Sequence, residues 1–145
     1  MKKRWHIINT ITFVSASILL LLLSFWSLYP YPTPTVKEPI KILNQNKEIA
    51  IGDSIEMLIR VTKPADYPPK GNVFITCNDG NLVTLAPLTT NLPVGSYTIL
   101  NDKYTLPPKV AVGSECKFNF RNEYQVNPIR TVTGYWTSEV FKVKE

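Results

Sequence analysis

Residues 116–127 read Cys-Lys-Phe-Asn-Phe-Arg-Asn-Glu-Tyr-Gln-Val-Asn. Cys116, Phe118, Phe120, Tyr124 and Val126 alternate with Lys117, Asn119, Arg121, Glu123, Gln125 and Asn127; only Asn122 is off phase. A period of two belongs to a strand with one face on a core and the other in water, so one long strand is expected here. The same alternation sets Ile55, Met57, Ile59 and Val61 against Ser54, Glu56 and Arg60, and recurs at Val73, Ile75 and Cys77.

Turn chemistry separates these runs: Asn78-Asp79-Gly80-Asn81, Pro93-Val94-Gly95, Asn101-Asp102 and Asn127-Pro128. Asn101-Asp102 is expected to split a short pair, Ile99–Leu100 and Tyr104–Leu106. Ile129–Thr133 and Val140–Lys144 are expected to close the chain, with Gly134, Tyr135 and Trp136 between them. Many short strands, frequent turns and no helical periodicity beyond the N-terminus predict an all-β fold, an antiparallel β-sandwich over residues 40–145. A sandwich of this class takes roughly 100 residues, so one domain is expected.

The N-terminus is different. From Trp5 to Tyr29 the only titratable side chains are His6 and Tyr29, and Ile18–Leu23 is continuously apolar. As a helix at about 1.5 Å per residue, this stretch exceeds the ~30 Å hydrocarbon core of a bilayer. Residues 1–29 are therefore expected to form a cytoplasmic tip and a transmembrane anchor, with lipid as the partner of residues 5–29. Trp5 on one side, and Trp26, Tyr29 and Tyr31 on the other, suit the headgroup boundaries. A cleaved signal peptide is the competing reading, but its apolar core is usually about 7–15 residues and ends at a small-x-small site. The exit here, Ser24-Phe25-Trp26-Ser27-Leu28, has no small residues two apart. Lys2, Lys3 and Arg4 then put the N-terminus in the cytoplasm and the C-terminal domain in the periplasm, outside the cell or on a virion. Prolines 30, 32, 34 and 39 predict a stiff, extended stalk over residues 30–39.

Cys77 and Cys116 are the only cysteines. Both fall on the inward phase of their strands and on the oxidising side of the membrane, so a disulfide is expected; two buried free thiols are the alternative. No Cys-x-x-Cys is present to supply a redox site.

Some of these residues resemble a known fold family. Ile51-Gly52-Asp53-Ser54-Ile55-Glu56 resembles the entry into the second strand of immunoglobulin-like domains. Leu106-Pro107-Pro108 with Val112-Gly113-Ser114-Glu115-Cys116 resembles the corner before the sixth strand, and Ser138–Val143 is similar to the last. No tryptophan lies between the cysteines, and no tyrosine stands two residues before Cys116, as antibody domains would have. The resemblance implies an immunoglobulin-like sandwich on a small N-terminally anchored protein, like those of bacteria and their phages.

The one histidine, His6, lies in the anchor, so histidine-based triads, proton shuttles and zinc sites cannot be built in the domain. Asp53, Asp66, Asp79, Asp102, Glu115 and Glu123 include a formally possible carboxylate pair, but most sit in turns, where Asp serves local hydrogen bonds. No catalytic, metal or cofactor residue is expected. The domain is nearly neutral, with thirteen Lys or Arg against eleven Asp or Glu from Lys37 onward, which argues against nucleic acid. The candidate interface is Arg130, Tyr135, Trp136 and Tyr67, residue types that dominate protein contacts; Trp136 also reads as a core residue, because a domain of this size commonly buries its sole tryptophan. The expected function is a non-enzymatic protein-interaction or assembly module of an envelope or virion. A carbohydrate or cell-wall binder, or a regulator of phage lysis or entry, is the alternative.

Overall fold

The computed structural model describes residues 2–87 and 92–145, with side chains from His6 onward. The side chains of Lys2, Lys3, Arg4 and Trp5, on which the expected orientation and one aromatic anchor rest, lie outside the described residues. Helix α1 spans Lys2–Leu28, and its segment His6–Leu28 is long and apolar enough to cross a membrane. Apart from the half-buried Trp26, its apolar side chains are exposed.

The rest is mostly β. The strands are β1 Thr35–Val36, β2 Lys41–Ile42, β3 Glu48–Ala50, β4 Ser54–Lys63 and β5 Pro69–Cys77. They continue with β6 Leu82–Leu85, β7 Gly95–Thr105, β8 Glu115–Asn127, β9 Arg130–Thr137 and β10 Phe141–Lys144. In one sheet β4 is central, with β1 and β2 on one edge and β7 on the other. In the other, the long β8 pairs with β5 on one edge and with β9 and then β10 on the other; β6 and β3 lie outermost. β3–β10 is parallel and the remaining ladders are antiparallel.

The inward phase read from the sequence supplies the core. Ile55, Met57 and Tyr104 from the first sheet meet Val73, Ile75, Phe118 and Phe141 from the second. The rings of Tyr104 and Phe118 touch across the interface at 5.7 Å between centroids. Burial holds the Tyr104 hydroxyl protonated, its pKa pushed up to about 12. Burying each such large apolar side chain contributes about 1.5–3 kcal/mol.

One flank is closed by chain that changes sheets. After β1, Ile40 bridges Ser138 of the second sheet, donating its N–H to Thr137 and accepting from Glu139. The Glu139 carboxylate accepts the Ile42 N–H at 3.2 Å and pairs with Lys47, also at 3.2 Å. Partial burial pulls its pKa up, but the Ile42 bond, Lys47 and Lys41 outweigh this and hold it below the ordinary range.

Three expectations are corrected. The stalk is not a free spacer over residues 30–39: Pro34 is buried, Tyr31 and Val36 pack on the core, and Thr35–Val36 pair with Thr62–Val61. The pairing of Thr35–Val36 with β4 carries the segment onto the domain and brings Tyr31, Pro34 and Val36 against it. Asn101-Asp102 does not end a strand either, because a bulge that sets Asp102 and Lys103 against the single residue Glu56 absorbs the one extra residue and β7 runs through. Finally, Tyr135 and Trp136 lie within β9, which continues to Thr137.

Candidate functional site

The end of a helix leaves its last carbonyls without intrahelical donors, and α1 has no basic residue in its last turn. The β8–β9 turn supplies what is missing. Asn127 Nδ2 donates to the Trp26 carbonyl at 2.8 Å; Arg130 Nη1 donates to Ser27 at 2.8 Å and to Tyr29 at 2.7 Å. The Arg130 guanidinium also lies 5.9 Å from the centre of the Tyr31 ring. Arg130 is thus a cap on α1, a role the sequence could not reveal because donor and acceptors are about a hundred residues apart. The domain is held at the exit of α1 rather than away from it on a stalk. Arg130→Gln should loosen this junction by about 1 kcal/mol, roughly a five-fold faster amide exchange at Tyr29 and Tyr31. Unchanged exchange there would show the cap contributes nothing.

Trp136 is 8% exposed and belongs to the core, which removes it as a surface anchor. The cause is Gly134, two residues earlier on the same inward face: a Cβ there would come within 2.5 Å of Trp136 Cη2. The indole lies over the space a side chain would fill. Beside it, a cavity of about 100 Å³ opens between the sheets, lined by Ile59, Val73, Phe120, Tyr124 and Trp136 among others. Tyr67 is half-buried and packs on the core from the β4–β5 connection, so it too is not a free surface aromatic.

Tyr135 is different: it is 52% exposed on the outer face of β9. Its hydroxyl donates to Asn119 Oδ1 at 2.8 Å, while Asn119 Nδ2 donates to Thr76 at 2.8 Å. Asn119 is buried, so the exposed ring is fixed from beneath. Phe74 stands 6.3 Å away, and Arg121, across the ladder from Tyr135, pairs with Glu123 at 2.9 Å. Asn119, Thr76 and Arg121 were not among the candidate residues; the strand phase places Asn119 and Arg121 outward, but nothing in the sequence joins them to Tyr135.

Cys77 and Cys116 are joined by a disulfide with Cα atoms 4.1 Å apart, and they are direct partners in the β5–β8 ladder. The bridge therefore lies within one sheet. Of the acidic residues considered for chemistry, Asp79 accepts from the Asn81 N–H and side chain and from Ser114. The Asn81 bond is the main reason its pKa lies below the ordinary range. This is turn chemistry. Among the described residues no group of three or more His, Cys, Asp or Glu is placed to hold a metal.

No family model matches the chain, and no curated protein matches it. Among solved structures, the sporulation control protein Spo0M from Bacillus subtilis is similar at 12% identity, with a TM-score of 0.44. The likeness covers 79% of this chain and 51% of that one, so this chain spans about half that protein's length.

Proposed function

We propose that this chain is a membrane-anchored, non-enzymatic protein-interaction or assembly module of a bacterial envelope or virion, presenting an immunoglobulin-like sandwich outside the membrane. The strand grouping supports the fold reading: β2–β4–β7 opposes β5–β8–β9, as in the two sheets of constant-type immunoglobulin domains. A disulfide within one sheet is a departure from the inter-sheet bridge of antibody domains. Lys2, Lys3 and Arg4, ahead of the apolar segment His6–Leu28, support a cytoplasmic N-terminus.

The observation that carries the interaction reading is Tyr135, a half-exposed ring immobilised through Asn119. A pre-positioned aromatic loses little conformational freedom on binding, and such anchors commonly contribute about 2 kcal/mol or more. With benzoylphenylalanine at position 135 of the membrane-embedded chain, irradiation should give a discrete protein adduct. Tyr135→Ala should weaken retention of that partner about 30-fold with little change in melting temperature. Absence of any protein adduct, together with retention on cell-wall polysaccharide that Tyr135→Ala abolishes, would replace this reading with glycan binding.

A further inference from the structure

The outer face of the other sheet carries an arrangement that folding alone disfavours. Thr35 pairs with Thr62, and Thr62 with Ser96 across the next ladder. One row further, the Lys37 N–H donates to the Arg60 carbonyl, and Arg60 pairs with Thr98. Lys37 and Arg60 are thus two cations side by side on adjacent strands, where like charges are destabilising. Among the described residues neither side chain makes an ion pair or hydrogen bond. The neighbouring carboxylates are engaged elsewhere or distant: Glu38 accepts the Thr137 N–H, Asp66 pairs with Lys63, and Glu56 is four residues from Arg60, about 13 Å along the strand.

These side chains line a depression of about 400 Å³ together with the hydroxyl residues Thr35, Thr62, Ser96 and Thr98. The Thr62 and Ser96 hydroxyls are 3.1 Å apart, each with capacity for a further hydrogen bond. A guanidinium fork, an ammonium and a hydroxyl row together match a phosphate group flanked by polyol oxygens. Thr35 lies six residues beyond Tyr29, so the depression is within about 20 Å of the helix end.

We propose that this depression binds a glycerol-phosphate diester, with Lys37 and Arg60 on the phosphate and the hydroxyl row on the polyol. The diester is either free in solution, as a polymer unit, or the headgroup of a lipid in the adjoining leaflet. The site lies on the opposite sheet from Tyr135, so the two readings stand or fall separately.

The test uses the full chain in maltoside micelles, which carry no phosphate. Glycerophosphoglycerol is titrated while the amide signals of Val61–Lys63 and Ser96–Thr98 are followed, and a parallel series dopes the micelles with phosphatidylglycerol. A saturable response to the free diester assigns a soluble ligand; a response only to doped micelles assigns a headgroup. Arg60→Gln should weaken either response at least ten-fold and Lys37→Gln about five-fold, with glycerol alone giving none. Because each change relieves like-charge repulsion, neither variant should lower the melting temperature of the unliganded protein. No response in either series, or one that both substitutions leave intact, would overturn the proposal.

Discussion

Trp136→Ala should cost the folded domain about 3–5 kcal/mol, the range for truncating a buried large aromatic. The indole is 8% exposed, pairs across β8 with Phe120 and lies over Gly134. Removing it would enlarge the cavity already present between the sheets, and the two ladders that frame it cannot collapse without breaking register. Against a typical total of about 5–15 kcal/mol, this is enough to leave a large unfolded fraction. Urea unfolding of the full chain in micelles, followed by circular dichroism, reads the loss directly. Gly134→Ala should also destabilise, because its methyl would meet the indole at 2.5–2.6 Å. Combined with Trp136→Phe, that penalty should shrink, since the smaller ring withdraws from the glycine. A Trp136→Ala variant of unchanged stability would show that the ring does not fill the core.

The second large effect concerns the disulfide. Its cysteines are 39 residues apart, and closing such a loop restricts the unfolded chain by about 4 kcal/mol in the chain-entropy model. The bridge joins strands already aligned over nine register pairs, from Pro69↔Tyr124 to Cys77↔Cys116, so the native ladder does not depend on it. Its contribution lies mainly in the unfolded state. Cys77→Ala with Cys116→Ala should therefore keep the fold and shift the urea midpoint by about 4 kcal/mol of stability. Reductant should move the wild-type chain to the same place and leave the double variant unaffected. A loss below about 1 kcal/mol would show that the unfolded chain holds β5 and β8 together without the bridge.

Much of the β fold was legible because alternation is a local signal. The inward residues of β4, β5 and β8 were identified from their period of two, and each faces the core as that period requires. The turns at Asn78–Asn81 and Asn127–Pro128 were equally legible, since Asn, Asp, Gly and Pro act on backbone angles within a few residues. The same local logic failed at Asn101-Asp102. There the pairing of β7 with β4 outweighs a turn preference by making a bulge, and no local reading contains the partner strand.

The candidate surface residues separate along the same line. Tyr135 and Trp136 are neighbours of similar chemistry, and strand phase alone says that one faces in and the other out. Which one is buried depends on Phe120 and Gly134 lying beneath the indole, and on Asn119 beneath the phenol. Arg130 had every mark of an interface residue, and only the arrival of the β8–β9 turn at the end of α1 made it a helix cap.

By itself, the sequence determined what depends on neighbours within a few positions: an apolar helix long enough to span a bilayer, strands with a defined inward face, and their turns. The tertiary structure decided what depends on groups brought together from far apart along the chain. It put the cysteine pair inside one sheet, Pro34 out of solvent, Arg130 on the end of α1, and Lys37 beside Arg60. Backbone propensity and hydrophobic phase are properties of a short segment, whereas a cap, a buried indole or a charge pair exists only once two distant segments share the same space.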